Sequence, residues 1–376
     1  MYVSDKGQLE AFCARARSQQ VVAVDTEFLR ERTYHPRLCL VQVATKDEIA
    51  AIDPLAIDDL SSLAGLLADP EVTKVVHACT QDLEAILSGV GCAMAPVFDT
   101  QLAAAFLGLR QQVSLGGLVE AYTGVHLAKA ESLTDWSRRP LDEKQLRYAE
   151  DDVRYLIGIY ERMIERLSRM GRLGWLEPEM AELTDVARVR RVPEEAYRHL
   201  KRVGSLTRRQ LAVAREVCAW RERLAAQRDV PRKWVLSDEI VAEVCKRGPR
   251  DVARLTRIRG TEQLSRRDAE AVVAAVRRGL DCPAQDCPRI ESHGHPSAEA
   301  EGVIDLMYGV VRVVSEHEGI ATQLIATRDD LADFVADQGS SRLSQGWRHE
   351  VAGRLLARLL AGEVGLTVKG GRIELL

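Results

Sequence analysis

The chain has 376 residues, which is enough for two or three domains. Its content of 46 % hydrophobic and 29 % charged residues is typical of a folded globular protein and argues against a disordered or fibrous one. No apolar run approaches the roughly 20 residues of a membrane span, and the first ten residues lack the apolar core of a signal peptide, so we expect no membrane partner and a cytoplasmic protein.

The net charge of −4 conceals an uneven distribution of charge along the chain. Residues 1–165 contain 16 Lys and Arg against 25 Asp and Glu, residues 201–280 contain 20 against 10, and residues 281–376 contain 9 against 15. A polyanion would be attracted to the basic middle region, whereas the acidic first region would need cations to accept it. The alternative is that the arginines of the middle region only solvate helix surfaces.

The first 170 residues alternate between strand-like and helix-like patterns. Apolar periodicity predicts strands over 21–25, 38–44, 49–53 and 72–76, and helices over 60–67, 81–90, 100–107, 114–122 and 142–169. Consecutive strands followed by helices indicate an α/β domain with a mixed sheet.

Helical patterns dominate the rest of the chain. Residues 171–204 are predicted to be a mixed connector, and residues 205–281 a bundle of helices that begin with Ser, Thr or Pro. Residues 282–301 are rich in Pro, Gly and small polar residues and are interpreted as a linker. Residues 302–376 are expected to form a second small bundle that finishes in a short hairpin or an extended tail. The predicted fold is therefore an α/β domain followed by two all-α bundles.

Four carboxylates and one tyrosine of the first domain form a candidate metal site. Asp25 and Glu27 are two residues apart at the end of an apolar strand, so their side chains point the same way. Tyr148 and Asp152 are four residues apart and share one face of a helix, and Asp82 lies near the start of another. Clustered acids repel one another unless cations lie among them, and hard divalent cations prefer oxygen ligands.

These residues suit the hydrolysis of phosphodiesters with two metal ions. We expect Asp25 to bridge both ions, Glu27 and Asp152 to bind the first ion, and Asp82 to bind the second. The hydroxyl of Tyr148 would orient the attacking water or partly deprotonate it. Each residue alone has a simpler explanation, such as a solvated strand end, a helix cap or a packing role. The ordered set of five is far more specific.

The segments VDTEF, HACTQDLEAIL and YAEDDVRYL resemble the three exonuclease motifs of the DEDD superfamily, in its tyrosine-containing branch. The neighbouring segments DTEFLRERTYHPRLCLVQVA and DWSRRPLDEKQLRYAEDD narrow the resemblance to the ribonuclease D family over residues 1–170. This resemblance implies a ribonuclease H-like sheet with helices on both sides. It also implies two Mg²⁺ or Mn²⁺ ions per site and 3′→5′ removal of nucleotides as 5′-monophosphates, chiefly from tRNA precursors with 3′ extensions. Carried over by position, the metal ligands are Asp25, Glu27, Asp82 and Asp152, and the water-orienting residue is Tyr148.

Residues 205–280 resemble an HRDC domain, the helical module shared by ribonuclease D and RecQ-type helicases, through the segment LTRRQLAVAREVCAWRERLAAQRDVPRKWVLSDEIV. In that family the module binds nucleic acid or a partner protein. The basic balance here favours nucleic acid, with Arg208, Arg209, Arg232 and Lys233 as candidate contacts. Residues 302–376 would be a divergent second copy, whose acidity leaves its RNA binding open. The resemblance also implies a monomer.

Further residues near the five acids and the tyrosine are candidates for substrate contact. Phe28 would stack on the terminal base or pack beneath the sheet. His77 would contact the substrate or be a hydrogen-bonded residue at a strand end. Arg138 and Arg139 would bind a phosphate, or else Arg139 only caps the turn into the next helix. Asp151 lies off the face shared by Tyr148 and Asp152, so we do not expect it to bind metal.

A zinc site in the linker is a separate question. Cys282, Cys287, His293 and His295 are of the right residue types, but their spacing is unusual and the segment is predicted to be a linker. The eight cysteines otherwise follow no disulfide pattern, as in proteins of a reducing compartment.

Two other functions are compatible with parts of the sequence. The same chemistry could act on DNA, although no polymerase or helicase motif follows the first domain. A non-enzymatic RNA-binding scaffold is the other alternative, but a protein that only binds RNA has no use for clustered carboxylates against phosphate.

Overall fold

A six-stranded mixed sheet forms the centre of the first domain in a computed structural model, which describes residues 1–109, 112–127, 134–189, 192–289 and 297–376. The strands are β1 (Tyr2–Val3), β2 (Val21–Leu29), β3 (Arg37–Ala44), β4 (Ile49–Ile52), β5 (Thr73–Val76) and β6 (Val97–Asp99). Their order is β1-β4-β3-β2-β5-β6, and β3 is antiparallel to both of its neighbours whereas the other pairs are parallel. The four predicted strands are confirmed. β1 and β6 were not predicted, because strands of two or three residues are too short to show an alternation of apolar and polar side chains.

Nine helices are described in and directly after this domain. They are α1 (Lys6–Arg17), α2 (Ser61–Leu67), α3 (Thr80–Gly89), α4 (Thr100–Phe106), α5 (Leu115–Thr123), α6 (Glu143–Arg154), α7 (Leu156–Arg169), α8 (Leu173–Leu183) and α9 (Val186–Val189). The helix predicted over 142–169 is in fact two helices that meet at Tyr155. α1 was not predicted.

The alternation of side chains along β2 separates two hydrophobic cores. Val22 and Val24 are buried with side chains of α1, α2 and α3 on one face of the sheet. Ala23 is buried on the other face with side chains of α4, α5, α7 and α8. Because side chains alternate along a strand, Asp25 and Glu27 continue the face of Ala23, and Thr26 continues the face covered by α3. The helices on both sides of a mixed sheet confirm the predicted fold of this domain.

The first helical bundle consists of α10 (Arg208–Arg228), α11 (Arg232–Val235), α12 (Asp238–Arg247), α13 (Val252–Leu255) and α14 (Arg266–Asp281). Its core also includes Tyr197 and Leu200, which lie in and just after the 3₁₀ helix Pro193–His199. The predicted connector over 171–204 is therefore divided by packing, since α8 belongs to the core of the first domain and residues near 197–200 belong to the bundle.

The second bundle repeats the first in its opening elements. It contains α15 (Ala298–Glu318), α16 (Thr322–Ile325), α17 (Arg328–Ala336), α18 (Gly346–Arg348), a π-helical turn (His349–Gly353) and α19 (Arg354–Leu360). Helices of 21, 4 and 9 residues follow the order of the 21, 4 and 10 residues of α10, α11 and α12. The chain then forms a hairpin of β7 (Leu366–Lys369) and β8 (Arg372–Leu375), which was one of the two predicted endings.

The second bundle is packed directly onto the first domain. Its buried residues belong to the same hydrophobic core as α4, α7 and α8. The ring of Trp347 lies against Phe106, with centroids 5.1 Å apart, and is stacked on Trp175 at 5.8 Å. In the described part of the chain, no helix is long and apolar enough to cross a membrane.

Candidate active site

Three of the predicted acids converge at the edge of the sheet. Asp25, Glu27 and Asp152 are half-buried, and each offers a carboxylate oxygen within 4.8 Å of the others. β2 presents the first two on one face, and α6 brings the third across the sheet. α6 is fixed there by its own sequence, because the Asp142 side chain accepts hydrogen bonds from the N–H groups of Lys144 and Gln145 at the helix start.

Asp82 approaches the same site from the other face of the sheet. It lies in the first turn of α3, and one of its oxygens accepts a hydrogen bond from the hydroxyl of Thr26. Thr26 reaches α3 because it points away from Asp25 and Glu27. Asp82 is not among the three clustered acids, but it is near enough to Asp25 to help raise the pKa of that carboxyl. The edge of β2 therefore brings acids from both sides of the sheet together.

Asp99 positions α3, and the sequence analysis missed it. Its buried carboxylate accepts hydrogen bonds from the N–H groups of Ala78 and Cys79, at 3.2 and 2.9 Å, directly before α3 begins. Ala78 has a φ of 57°, a left-handed conformation that an alanine rarely adopts without support. Asp99 also caps α4. Its place directly before a predicted helix was the available signal, since Asp is a preferred residue there.

Burial raises the pKa of every acid in the site, and neighbouring carboxylates add to this effect. The pKa of Asp25 lies well above its usual range because of burial and then the charges of Asp82, Asp152 and Glu27. Burial, Asp152 and Asp82 raise the pKa of Glu27 to about 8. Burial raises the pKa of Asp152 to about 7, and that of Asp82 to about 6 against the hydrogen bond from Thr26, which lowers it.

This arrangement fits divalent cations. All of its ligand atoms are carboxylate oxygens, which hard cations such as Mg²⁺ and Mn²⁺ prefer. The raised pKa values mean that burial, together with neighbouring negative charges, disfavours the ionised acids, and cations among them would supply a compensating positive charge. Asp25, Glu27 and Asp152 would hold one ion, and Asp25 with Asp82 would hold a second.

Tyr148 is placed to donate a hydrogen bond within the site. Its hydroxyl is close enough to Asp152, one turn later on α6, to interact with that carboxyl, and its ring packs near Trp136, with centroids 6.1 Å apart. Burial raises its pKa, and the charges of Asp152, Glu27 and Asp25 raise it further. The phenol therefore stays protonated at neutral pH, which suits an orienting role and not that of a base.

Phe28 and His77 occupy structural positions. Phe28 is half-buried and packs against the core beneath the sheet. The two ring nitrogens of His77 lie 2.9 Å from the hydroxyl of Thr100 and 3.0 Å from the carbonyl of Val113. Both rings thus have partners within the protein. This agrees with packing beneath the sheet for Phe28 and with a hydrogen-bonded residue at a strand end for His77.

Arg139 does not have a free guanidinium for phosphate. It donates two hydrogen bonds of 2.6 Å to the buried carboxylate of Asp53, and its other N–H groups bond the carbonyls of Trp136, Arg138 and Cys39. The prediction of phosphate binding is wrong for this residue because all five of its donors are engaged. Arg138 is 84 % exposed beside Asp135 and stays a candidate. Asp151 is paired with Arg154 at 2.9 Å and is not among the clustered acids, although its charge helps to raise the pKa of the neighbouring Asp152.

Of the four basic candidates in the first bundle, two are engaged in hydrogen bonds within the protein and two are more available for contact with RNA. Arg208 bonds the carbonyls of Ala284 and Cys287 at 3.0 Å, and Arg209 bonds that of Leu280 at 2.9 Å. These two arginines therefore hold the end of α14 and the chain that follows it, which limits their use for RNA. Arg232 is 39 % exposed and 3.7 Å from Glu222, and Lys233 is exposed without an ion pair to any described residue.

The cysteines of the linker are buried together. Cys282 and Cys287 pack against Ala212. Two cysteines do not complete a tetrahedral zinc site. His293 and His295, the other predicted ligands, lie outside the described residues.

Comparison with known proteins finds the same two modules. A family model described as a 3′-5′ exonuclease matches residues 1–168, and a model of the HRDC domain matches residues 210–276. The first match includes all five residues of the candidate site.

Several relatives are similar over nearly the whole chain. Ribonuclease D of Acidiphilium cryptum (strain JF-5) is 39 % identical over 374 residues, which cover 97 % of this chain and 94 % of that protein. Ribonuclease D of Jannaschia sp. (strain CCS1) is 40 % identical over 384 residues, which cover 99 % and 98 %. Among solved structures, Escherichia coli RNase D, an exoribonuclease involved in structured RNA processing, matches with a TM-score of 0.85 at 31 % identity, over 96 % of this chain and 98 % of that one.

Proposed function

Since this chain belongs to the ribonuclease D family of 3′→5′ exoribonucleases, we propose that it uses two divalent cations to trim the 3′ ends of structured RNA, chiefly tRNA precursors with 3′ extensions. The convergence of Asp25, Glu27 and Asp152 within 4.8 Å is the observation that most directly supports the metal-dependent mechanism. Asp82 and Tyr148 complete a site made of carboxylates and one protonated phenol.

Each residue has a distinct part in the proposed mechanism. Bound divalent cations would lower the pKa of the attacking water and stabilise the leaving 3′ oxygen, so that a 5′-monophosphate is released. The charges of all three other acids raise the pKa of Asp25, which places its carboxylate among them. Asp25 would therefore contact both ions. Glu27 and Asp152 would bind the first ion and Asp82 the second. The Tyr148 hydroxyl, held by Asp152, would orient the water for attack on the phosphorus.

The organisation of the chain is proposed in five parts. An exonuclease domain covers residues 1–170, a connector 171–204, an HRDC domain 205–281, a linker 282–301 and a divergent second bundle 302–376. The first helix of that bundle, α15, already begins at Ala298, so the linker is shorter by four residues. The packing of Tyr197 and Leu200 supports including residues 193–204 with the HRDC domain. We propose a monomer that acts in the cytoplasm, and the eight free cysteines support a reducing compartment.

Replacing Asp25 tests the mechanism directly. Asp25→Asn removes the carboxylate that would contact both ions, so hydrolysis of a 3′-extended tRNA should fall by a factor on the order of 10³. The fold should be retained, because one of four mutually repelling charges is lost. The measurement is a timed digestion with and without EDTA, with the products resolved by length.

Asp151→Asn is the matched control, since Asp151 is also on α6 but pairs with Arg154 outside the site. It should leave the rate nearly unchanged. A second readout is the melting temperature, which Mg²⁺ should raise in the unmodified protein and in Asp151→Asn but not in Asp25→Asn. Turnover in EDTA, or turnover retained by Asp25→Asn, would contradict the mechanism.

A further inference from the structure

A basic cavity lies between the first domain and the HRDC bundle. Its volume is about 450 Å³, and its walls come from the loop after β2 on one side and from residues around α11 on the other. It contains four positive side chains and two negative ones, namely Arg30, Lys201, Arg232, Lys233, Asp238 and Glu239. Both acids are paired, Asp238 with the buried Arg221 at 2.8 Å and Glu239 with Lys201 at 3.6 Å. Three of the four positive side chains are paired as well, Lys201 with Glu239, Arg30 with Glu84 and Arg232 with Glu222 at 3.7 Å. Lys233 has no ion pair to a described residue, and the lining has two more positive than negative side chains.

A larger cavity nearby has the opposite character. Its volume is about 910 Å³. Among the described residues, His199 apart, its charged lining consists of two arginines and five glutamates: Arg232, Arg342, Glu84, Glu179, Glu182, Glu195 and Glu222. A phosphate backbone would be repelled there and attracted to the smaller cavity. Charge, and not size, thus selects the smaller cavity as the one that suits RNA.

Trp234 stands beside the basic cavity on α11. It is 54 % exposed, whereas the other four tryptophans are buried or half-buried. It lies three residues after Pro231, which lines the cavity, and residues three apart are neighbours on a helix surface. The next two residues, Val235 and Leu236, are buried in the core of the bundle. The backbone that carries the exposed indole is therefore firmly held.

The opposite wall of the cavity is connected to the active site. Arg30 follows β2 directly and is three residues from Glu27, which is at most about 10 Å along the chain. Tyr34 fixes this loop to the bundle, since its hydroxyl donates to Glu222 at 2.7 Å and its N–H donates to Asp229 at 3.0 Å.

The same wall contains an unused polar group. The hydroxyl of Thr33 is buried and has no hydrogen-bond partner among the described residues. A phosphate oxygen or a ribose hydroxyl in the cavity would supply one.

We propose, on the basis of the proposed function, that Trp234 is a stacking platform for an unpaired base of the RNA strand whose 3′ end enters the active site. The neighbouring phosphates lie in the basic cavity, where Lys233 and Arg232 contact them. An indole accepts any base, so the platform holds single-stranded 3′ tails without regard to their sequence. Because Trp234 is on the α11 side of the cavity and the acids lie beyond the opposite wall, only a tail that spans the cavity can reach both. The tail length, rather than the terminal base, is therefore the feature of the substrate to which Trp234 responds.

The test compares long and short tails on the same RNA hairpin. Binding is measured by fluorescence anisotropy with the full chain in the Asp25→Asn background, so that no substrate is consumed. Trp234→Ala should weaken the affinity for a hairpin with a tail of about ten nucleotides about tenfold, and should change the affinity for a tail of about two nucleotides much less. Trp234→Phe keeps an aromatic face and should recover most of the lost affinity.

Leu306→Ala is the matched control, because Leu306 is 52 % exposed on α15 of the second bundle, for which no RNA contact is proposed. It should bind both tails as the parent does. The proposal is wrong if Trp234→Ala binds the long tail as tightly as the parent does, or if it loses the same affinity for both tails. The exposed indole would then be a contact for a protein partner. The proposed function would be contradicted by a different result, namely the absence of hydrolysis by the unmodified protein. The two proposals can therefore be tested separately.

Discussion

At the scale of single residues, the phenol of Tyr148 behaves differently from the four carboxylates around it. Burial and neighbouring negative charges raise the pKa of all five groups. A carboxylate with a raised pKa becomes a site for a cation or a proton, whereas a phenol with a raised pKa becomes a lasting hydrogen-bond donor. The one tyrosine can therefore orient water without competing for the cations.

Removing that hydroxyl should affect the rate and little else. Tyr148→Phe retains the ring that packs near Trp136, so the melting temperature should stay close to that of the unmodified protein. The loss of the orienting hydrogen bond should lower kcat about 100-fold with little change in KM for RNA. Steady-state kinetics on a 3′-extended RNA provide the measurement.

Tyr155→Phe is the control, because it removes the hydroxyl of another tyrosine at the junction of α6 and α7 and also keeps the ring. A raised KM with an unchanged kcat in Tyr148→Phe would assign Tyr148 to substrate binding instead.

At the scale of elements, the junction of α6 and α7 at Tyr155 lets consecutive helices pack against two different surfaces of the sheet. α6 lies across the end of the sheet, where Ala149 packs with Cys39 and Leu40. α7 belongs to the large core on the sheet face, with Leu156 and Met163. A single straight helix over 142–169 could not follow both surfaces. The loop before α6 is anchored by Arg139, whose partner Asp53 comes directly after β4.

Arg139 and Arg138 should therefore respond differently to the same substitution. Arg139→Gln leaves the carboxylate of Asp53, whose side chain is only 2 % exposed, without its ion pair, which should lower the free energy of unfolding by about 3 kcal/mol. Arg138→Gln, at an 84 % exposed side chain, should change the free energy of unfolding by less than about 0.5 kcal/mol and raise KM for RNA. Urea unfolding and steady-state kinetics of both variants check this. A normal stability for Arg139→Gln would show that its five hydrogen bonds matter less than their geometry suggests.

At the scale of the whole molecule, the second bundle is part of the framework of the catalytic domain and not a tethered module. The carboxylate of Glu179 on α8 accepts hydrogen bonds from the guanidinium of Arg348, one of them 2.8 Å long, and from the indole of Trp347 at 3.1 Å. Arg172, just before α8, donates hydrogen bonds to the carbonyl of Phe106 at 2.7 Å and to the carbonyl of Glu318 at the end of α15. A chain without its second bundle would expose the shared core, so a loss of activity on deletion would not by itself measure RNA binding.

The Glu179 contact should make stability depend on pH in a defined direction. Burial by itself would raise the pKa of Glu179, but the hydrogen bonds and charge of Arg348 outweigh it and lower the pKa below 4.5. A carboxylate with a lowered pKa in the folded state adds stability above its unfolded pKa, and this stability is lost as the pH falls through the folded pKa. Glu179→Gln should therefore lower the free energy of unfolding by about 3 kcal/mol at neutral pH, and the difference should shrink below about pH 4.5.

Urea unfolding at several pH values measures this difference. Glu177→Gln is the control, since Glu177 lies on the same helix but is exposed, and it should show no such dependence. A difference for Glu179→Gln that stays constant down to pH values well below 4.5 would contradict the assignment of the stability to the ionised contact.

The sequence by itself determined the chemistry and the main elements. The four long strands and most helices follow from local apolar periods. The five candidate site residues follow from the spacing of Asp25 with Glu27 and of Tyr148 with Asp152, and from motifs along the chain. These signals are local, because a period of two or 3.6 residues states which side chains share a face.

Only the tertiary structure decided which faces meet. It revealed that Thr26 holds Asp82, that Asp99 holds the start of α3, and that Arg139 serves Asp53 and not the substrate. It also joined the second bundle to the core of the first domain. Each of these contacts pairs residues that are far apart in the chain or lie on opposite sides of the sheet, and their partners depend on how whole elements pack, about which a local period contains no information.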